Sequence, residues 1–374
     1  MLALQRLGNL IGSIRVHRAV PATLQERFVA EPWFIDSIEL SGSAFTVRGW
    51  AFDDAPSEER DYSERFSFNG RPFDRVGYPL ERPDVGQCFP ARRGAKNCGF
   101  VLVANEPGAL YADGALVITC RDRATPSSAQ ARDSWFIPDP SLHADLPDPD
   151  QRFRVIGNRE AWAFLMSGCT DYQRLDRVGV ALTGKHMGDF SAVLDWGCGC
   201  GRIARHFPPG SNLHGCDIDA ANVAWCAEHL PGRYVASGLR PPLPYDEGAF
   251  DLIYGISVFT HFRPELERLW LAELRRISRP GALLLMTVHG QTTIDYARLD
   301  TARRRLLTWT VQRAGILCGS RNDQLDGHAA HENEYVNVYH SSRYIGRTWS
   351  RYFDILDILP GYLFTHDLVV MRAR

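Results

Sequence analysis

The period of hydrophobic and polar positions changes part-way along the chain. From Trp33 to Trp135 apolar and polar residues alternate in short runs, as in Phe34-Ile35-Asp36-Ser37-Ile38-Glu39-Leu40 and Phe45-Thr46-Val47-Arg48-Gly49-Trp50. Alternation of this kind is the mark of a half-buried strand. Turn residues separate the runs at Ser41-Gly42, Asn69-Gly70 and Asp113-Gly114, and Phe66 to Phe73 reads as a hairpin about Asn-Gly. Cys98 to Val103 and Ala115 to Thr119 supply further strands, so residues 30–137 are predicted to form a small all-β sandwich. Residues 138–150 follow, with four prolines and four aspartates in thirteen positions. That composition sustains neither a helix nor a central strand and predicts an exposed linker.

Beyond the linker the spacing becomes helical. Trp162, Leu165, Met166, Tyr172 and Leu175 recur at helical intervals between Arg159 and Leu182. Short apolar runs then alternate with helical stretches. Strands are expected at Ala192–Leu194, Leu213–Asp217, Arg233–Gly238, Phe250 onward and Ala282–His289. Asp219 is placed to cap a helix running to Leu230. A second helix spans Glu265 to Ile277 and stops at Arg279-Pro280-Gly281. Tyr352–Leu359 and Phe364–Met371 meet across Pro360-Gly361, a connection too short for parallel neighbours, and are therefore antiparallel. Residues 151–374 thus read as an α/β sheet of seven strands with helices on both faces.

Within that unit the most informative stretch is Leu194-Asp195-Trp196-Gly197-Cys198-Gly199-Cys200-Gly201-Arg202. Three alternate glycines end a buried strand, and glycine serves where backbone turns sharply or a ligand lies against it. A dinucleotide fingerprint would need a third glycine at position 202, where Arg202 stands, which disfavours a nicotinamide oxidoreductase. Asp217 ends the next strand 22 residues after Asp195, the position from which an acid grips a ribose diol.

Leu-Asp-Trp-Gly-Cys-Gly-Cys-Gly followed by Gly-Cys-Asp-Ile-Asp resembles the cofactor site of class I S-adenosylmethionine-dependent methyltransferases, in particular their type 11 and type 25 domains. The resemblance covers about Gln151 to Arg374 and implies a Rossmann-like seven-stranded sheet with an antiparallel last strand. It implies S-adenosyl-L-methionine as cofactor. Gly197, Gly199 and Gly201 would admit its methionine end, Asp195 would orient the turn or the ammonium, and Asp217 would hold the ribose. Ile218 and Leu239 would flank adenine, with Ser237, Gly238 and Ser257 nearby; Tyr172 would either close over the site or pack against the sheet. Many relatives carry an acid after the glycine of the third strand; here Leu239 follows Gly238, so backbone or Ser237 would hold the adenine amino group. The resemblance also places acceptor chemistry past the fourth strand, where Tyr254-Gly255-Ile256-Ser257 stands instead of the Asn-Pro-Pro-Tyr of base-amine methylation. His261 is the candidate base there and His289 the second; the alternative for each is a structural histidine. The insertion from Gly290 to Ser350 would build the acceptor pocket with Tyr335, Tyr339, His340, Ser341, Tyr344 and Trp349. Its Arg303-Arg304-Arg305 would bind an anionic acceptor or form a solvated helix face.

The β segment resembles modules attached to surface-polysaccharide enzymes, through Val47-Arg48-Gly49-Trp50-Ala51, Asn69-Gly70-Arg71, Arg82-Pro83-Asp84-Val85 and Gly99-Phe100. It implies a neighbourhood of glycan-assembly enzymes and not a reaction. With the methyltransferase resemblance beside it, the expected activity is methylation of an oxygen on a saccharide or lipid-linked glycan acceptor. The alternative is a recruiting protein that retains a cofactor fold. Trp50, Tyr62 and Tyr78 would either stack on sugar or pack a core.

Composition narrows the setting. A net charge of −2 over 374 residues leaves no overall footprint for nucleic acid. No apolar run reaches the length of a membrane span. Met1 to Val29 carries Arg6, Arg15 and Arg18 in a broken apolar run, a poor leader peptide and an expected N-terminal extension. Nine cysteines without a C-x-x-C pair point to a reducing cytoplasm and to no metal at Cys198 and Cys200.

Overall fold

The computed structural model describes residues 33–41, 43–53, 56–57, 59–90, 92–105, 110–111, 115–121, 134–139, 145–297, 299–321 and 336–374. The expected extension over residues 1–29 and Tyr335 lie outside them.

The alternating segment folds as read. It contains β1 (Trp33–Ser41), β2 (Ala44–Ala51), β3 (Phe66–Phe68), β4 (Arg71–Pro72), β5 (Arg75–Glu81), a short helix α1 (Pro83–Cys88), β6 (Asn97–Asn105), β7 (Ala115–Cys120) and β8 (Ser134–Pro138). They form two four-stranded antiparallel sheets, ordered β1-β2-β6-β5 and β4-β3-β7-β8. Asn69 and Gly70 both take positive φ, 46° and 73°, closing the β3–β4 hairpin as a two-residue turn requires. The inward residues of both sheets share one core, including Ile35 and Val47 from the first and Leu116 and Ile118 from the second. Trp50, Tyr62 and Tyr78 are only 7%, 5% and 8% exposed. They are core residues and present no face to a sugar; the Tyr78 hydroxyl donates to the Ala51 carbonyl at 2.9 Å.

The second unit comprises α2 (Pro149–Ile156), α3 (Ala161–Thr183), β9 (Val193–Trp196), β10 (Leu213–Asp217), α4 (Ala220–His229), β11 (Arg233–Ala236), β12 (Phe250–Gly255), α5 (Pro264–Ile277), β13 (Ser278–Val288), α6 (Gln291–Asp295), α7 (Thr301–Ala314), β14 (Ile316–Arg321), β15 (Val336–His340), α8 (Ser342–Thr348), β16 (Phe353–Leu363) and β17 (His366–Ala373). The main sheet runs β11-β10-β9-β12-β13-β17-β16. Its first five strands are parallel, while β17 is antiparallel to both β13 and β16. This is the Rossmann-like methyltransferase sheet. Strands buried on both faces need near-continuous apolar runs, and Leu283, Leu284, Leu285 and Met286 of β13 are all 2% exposed or less.

Three local features differ from the sequence reading. The expected linker ends early, because Asp148 accepts from the backbone amides of Asp150 and Gln151 while Gln151 reaches back to Asp148. This capping box starts α2 at Pro149, a position where proline is tolerated. The final hairpin turns at Phe364-Thr365 and not at Pro360-Gly361. Gly361, at φ 57°, instead sits in an irregularity of β16, its amide held by Asp367 Oδ1 at 2.8 Å. Arg279-Pro280-Gly281 falls inside β13 rather than before it.

Helix α3 serves two cores. Its Leu175 and Val178 pack under the large sheet, while Met166 joins the β-sandwich core. Thr170 Oγ1 accepts from the Phe136 amide at 2.9 Å, and the Tyr362 hydroxyl donates to the Arg174 carbonyl at 2.8 Å. The sandwich is therefore seated on the larger unit through β8.

Candidate active site

Strand order in the large sheet reverses at β9, with β10 and β11 to one side and β12 and β13 to the other. A crevice opens at the carboxyl ends of strands around such a reversal, and ligands bind there. The glycine turn forms its floor. Gly197 and Gly199 take φ of 81° and 51°, a region L side chains rarely enter. A Cβ on Gly197 would stand 2.4 Å from Val258 Cγ2, and one on Gly199 would stand 2.8 Å from Val155 Cγ2. Only bare backbone fits, which leaves a cradle for a ligand. Gly201 serves otherwise. It lies outside the cavity, where a Cβ would meet Leu230 Cδ1 at 2.2 Å, so its lack of a side chain lets the chain end of α4 approach.

One wall carries Asp217 and Ile218. Asp217 Oδ2 accepts from the Gly199 amide at 2.7 Å, and Oδ1 accepts from the Asp219 amide at 2.8 Å. An ionised carboxylate offers about four lone-pair sites, so acceptor capacity remains for a diol. Burial raises the Asp217 pKa, and the amides of Asp219 and Gly199 oppose the shift. Ser237, Gly238 and Leu239 continue this wall, and the Leu239 carbonyl is fixed by the Trp270 indole N–H at 2.9 Å. Ser257 faces them with φ at 61°, held by its amide to Thr287 Oγ1 at 2.7 Å. A non-glycine residue in this conformation is strained and is retained where its surroundings fix it.

Two expected contacts lie elsewhere. Asp195 is buried beneath the turn, 3% exposed, and does not line the cavity. Burial raises its carboxyl to about 7, with Tyr254 and Arg202 opposing. It lies beneath the turn, clear of the cavity lining. Tyr172 packs edge-on against Phe207 at 5.1 Å, inside the core below the sheet. Its helical spacing is explained by that packing.

On the acceptor side His261 lines the cavity. It belongs to a short 3-10 turn, Phe259–His261, that follows β12. Its Nδ1 lies 3.3 Å from the Val336 carbonyl of β15, so in the neutral ring Nδ1–H donates and Nε2 is the acceptor. Burial, aided by His289, lowers the ring's pKa to about 3. His289 is not a lining residue. Its ring stands 6.3 Å from His261 and 4.9 Å from His366, and burial with His366 lowers it to about 2. His366, lowered to about 4 by burial, is absent from the sequence reading. An antiparallel strand begins at the edge where its parallel neighbours end, and that rule was the available signal.

The insertion is pinned down more than it is open. His340 Nε2 lies 2.6 Å from Glu267 Oε2 with both side chains fully buried, and the Tyr344 hydroxyl donates to Glu267 Oε1 at 2.9 Å. Ser341 caps α8, and Trp349 packs on Phe259 at 4.6 Å. Of the expected pocket residues, Tyr339 has its ring 5.5 Å from that of His289, and the His340 amide donates to the His289 carbonyl at 2.8 Å. Sequence reasoning also missed Arg154, Val155 and Asn222, which cover the cavity from α2 and α4.

The family model described as a methyltransferase domain matches residues 194–286. That span runs from β9 to β13 and contains the glycine cradle, Asp217 and His261. The domain is an S-adenosylmethionine-dependent methyltransferase. Among relatives of this methyltransferase, a phthiotriol/phenolphthiotriol dimycocerosates methyltransferase of Mycobacterium ulcerans is 28% identical over 204 residues, covering 52% of this chain and 72% of that one. A like-named Mycobacterium leprae protein is 30% identical over 152 residues, or 36% of this chain and 55% of that one. Among solved structures, the Burkholderia thailandensis 1,6-didemethyltoxoflavin-N1-methyltransferase with S-adenosylhomocysteine is 16% identical with a TM-score of 0.40, covering 64% of this chain and 95% of that one. The residues of the cavity fit the cofactor: bare backbone at Gly197 and Gly199, and a carboxylate with acceptor sites to spare at Asp217.

Proposed function

We propose that this methyltransferase acts on an oxygen of a saccharide or lipid-linked glycan, with His261 on the acceptor side. The observation that carries the reading is that His261 shares one cavity with the glycine turn and Asp217. The relatives named for phthiotriol lipids support a hydroxylated, lipid-borne acceptor. We assign the β-sandwich to recruitment by glycan-assembly enzymes, as its sequence likeness suggests. All nine cysteines are free thiols, which supports a reducing cytoplasm.

The cofactor, when bound, supplies an electrophilic methyl group for in-line displacement. Gly197 and Gly199 would carry its methionine end, and Asp217 would accept its ribose hydroxyls. Ile218 and Leu239 would enclose the adenine. His261 stays neutral well below pH 6.5 and accepts the acceptor's O–H at Nε2, which turns an oxygen lone pair toward the methyl group. So weak a base suffices, because the hydroxyl proton becomes strongly acidic as the oxygen gains positive charge in the transition state.

His261→Ala is expected to lower kcat by ~10²-fold or more, with S-adenosylhomocysteine affinity by calorimetry unchanged. The kcat of the native chain should stay level from pH 7 down to about 5 as far as this ring is concerned, since its pKa lies near 3. The acceptor class is tested by mass spectrometry of glycan and lipid extracts from cells with and without the gene. Loss of a methyl mass from a protein or small metabolite, with glycans and lipids unaltered, would refute it.

A further inference from the structure

Helix α7 carries two apolar stripes on opposite sides. Inward it buries Val311, is tied to α6 by the Gln291 side-chain amide donating to Thr308 Oγ1 at 3.1 Å, and has the Arg304 guanidinium donating to the Asp295 carbonyl at 3.3 Å. Outward, residues 302, 306, 309 and 313 fall in one row, since they recur at intervals of four, three and four. Leu306 and Trp309 in that row are 63% and 59% exposed, among the most exposed large apolar side chains of the described residues. Both point away from the direction of Val311. Arg303 and Arg305 flank the row on its two sides, and Arg313 lies in it with its guanidinium 5.5 Å from the Trp309 ring. The helix sequence holds four arginines and no carboxylate; Asp300, at its cap, stands 3.4 Å from Arg303.

A leucine and a tryptophan exposed at the centre of a cationic helix face have one matching environment, an interface with an apolar interior and an anionic surface. Nucleic acid would match the arginines but not Leu306. We propose that α7 docks the enzyme on an anionic lipid bilayer, with Leu306 and Trp309 entering the headgroup boundary and Arg303, Arg305 and Arg313 meeting lipid phosphates. The same insertion continues through β14 into β15, whose Val336 carbonyl holds His261. The inference is independent of which acceptor is methylated.

The test is co-sedimentation of the full chain with phosphatidylcholine vesicles, with and without phosphatidylglycerol. Binding is expected with the anionic vesicles only, weakening as salt is raised. Leu306→Ser with Trp309→Ser should abolish it, and Arg305→Gln should weaken it about fivefold. These positions are exposed, so the melting temperature and S-adenosylhomocysteine affinity should hold, which separates a docking failure from a failure of the enzymatic reading. Quenching by brominated lipid should fall on Trp309→Phe. Equal binding to neutral vesicles, or undiminished binding of the double variant, would overturn the proposal. So would a dimer of the native chain that the double variant converts to monomer, or binding of duplex DNA in place of vesicles.

Discussion

Asp217 illustrates how one side chain serves structure and ligand together. Its two oxygens each hold one backbone amide, from Gly199 and from Asp219, and those bonds set the carboxylate's orientation before any ligand arrives. Asp217→Ala is expected to weaken S-adenosylhomocysteine binding by about 1.5–3 kcal/mol, typical of hydrogen bonds to a charged group. Calorimetry checks it, with NAD as the silent control; unchanged affinity would sink the ribose assignment. Asp195 shows the converse. Two positions before the first glycine, it reads in sequence as a residue that orients either the turn or the ammonium; it is closed off beneath the turn and its carboxyl rises to about 7. Sequence spacing gives the strand end and the residue type. It does not give which side of a turn the side chain leaves on.

At the scale of elements, the start of α2 decides how the cavity is covered. Asp148 caps the helix, and the helix brings Arg154 to Asp219 at 3.2 Å and Val155 against the glycine turn. Asp148→Ala should cost about 1 kcal/mol of stability in urea unfolding. It should also weaken cofactor binding, because the helix that covers the cavity frays. A fragment beginning at Gln151 would show the same defect, whereas one beginning at Asp145 would not; equal affinity of the two would refute the role of the cap. The signal for this helix was present as Asp148-Pro149-Asp150-Gln151, but a count of prolines hid it, since proline breaks a helix everywhere except its first turn. The strands and helices of the large sheet were legible because apolar runs there are long and their caps regular. The final turn was not: Pro360-Gly361 has turn chemistry, and the pairing of Gly361 with Asp367 helps absorb it into β16.

For the molecule as a whole, the clustered imidazoles of His261, which is buried, and of His289 and His366, which are half-buried, set the response to acid. Their pKa values in the fold are about 3, 2 and 4, against an ordinary 6.5. Between those values and 6.5 the unfolded chain binds their protons and the folded chain does not, so this contribution is complete above pH 6.5 and is lost as pH falls. Asp195 acts oppositely, since at about 7 it holds its proton in the fold over the range where the unfolded chain has released it. The groups facing the histidines include Arg202, His340, Tyr339 and the Val336 and Val338 carbonyls. Stability should fall below pH 6.5 by about 1.4 kcal/mol per pH unit for each net proton taken up. His289→Gln should flatten that slope by about one proton; parallel slopes for variant and native chain would contradict it. The order of strands carries one more consequence, for biosynthesis. β17 is made after β16 yet lies between it and β13, so a growing chain that has emerged only through Leu363 has no place in the sheet for β16. Until β17 arrives, the apolar edge of β13 is open, and an open edge recruits strands from other chains. Ribosomes stalled in this short interval would release a product prone to aggregate, and a cell making this enzyme depends on holding that one edge covered until translation has passed Ala373.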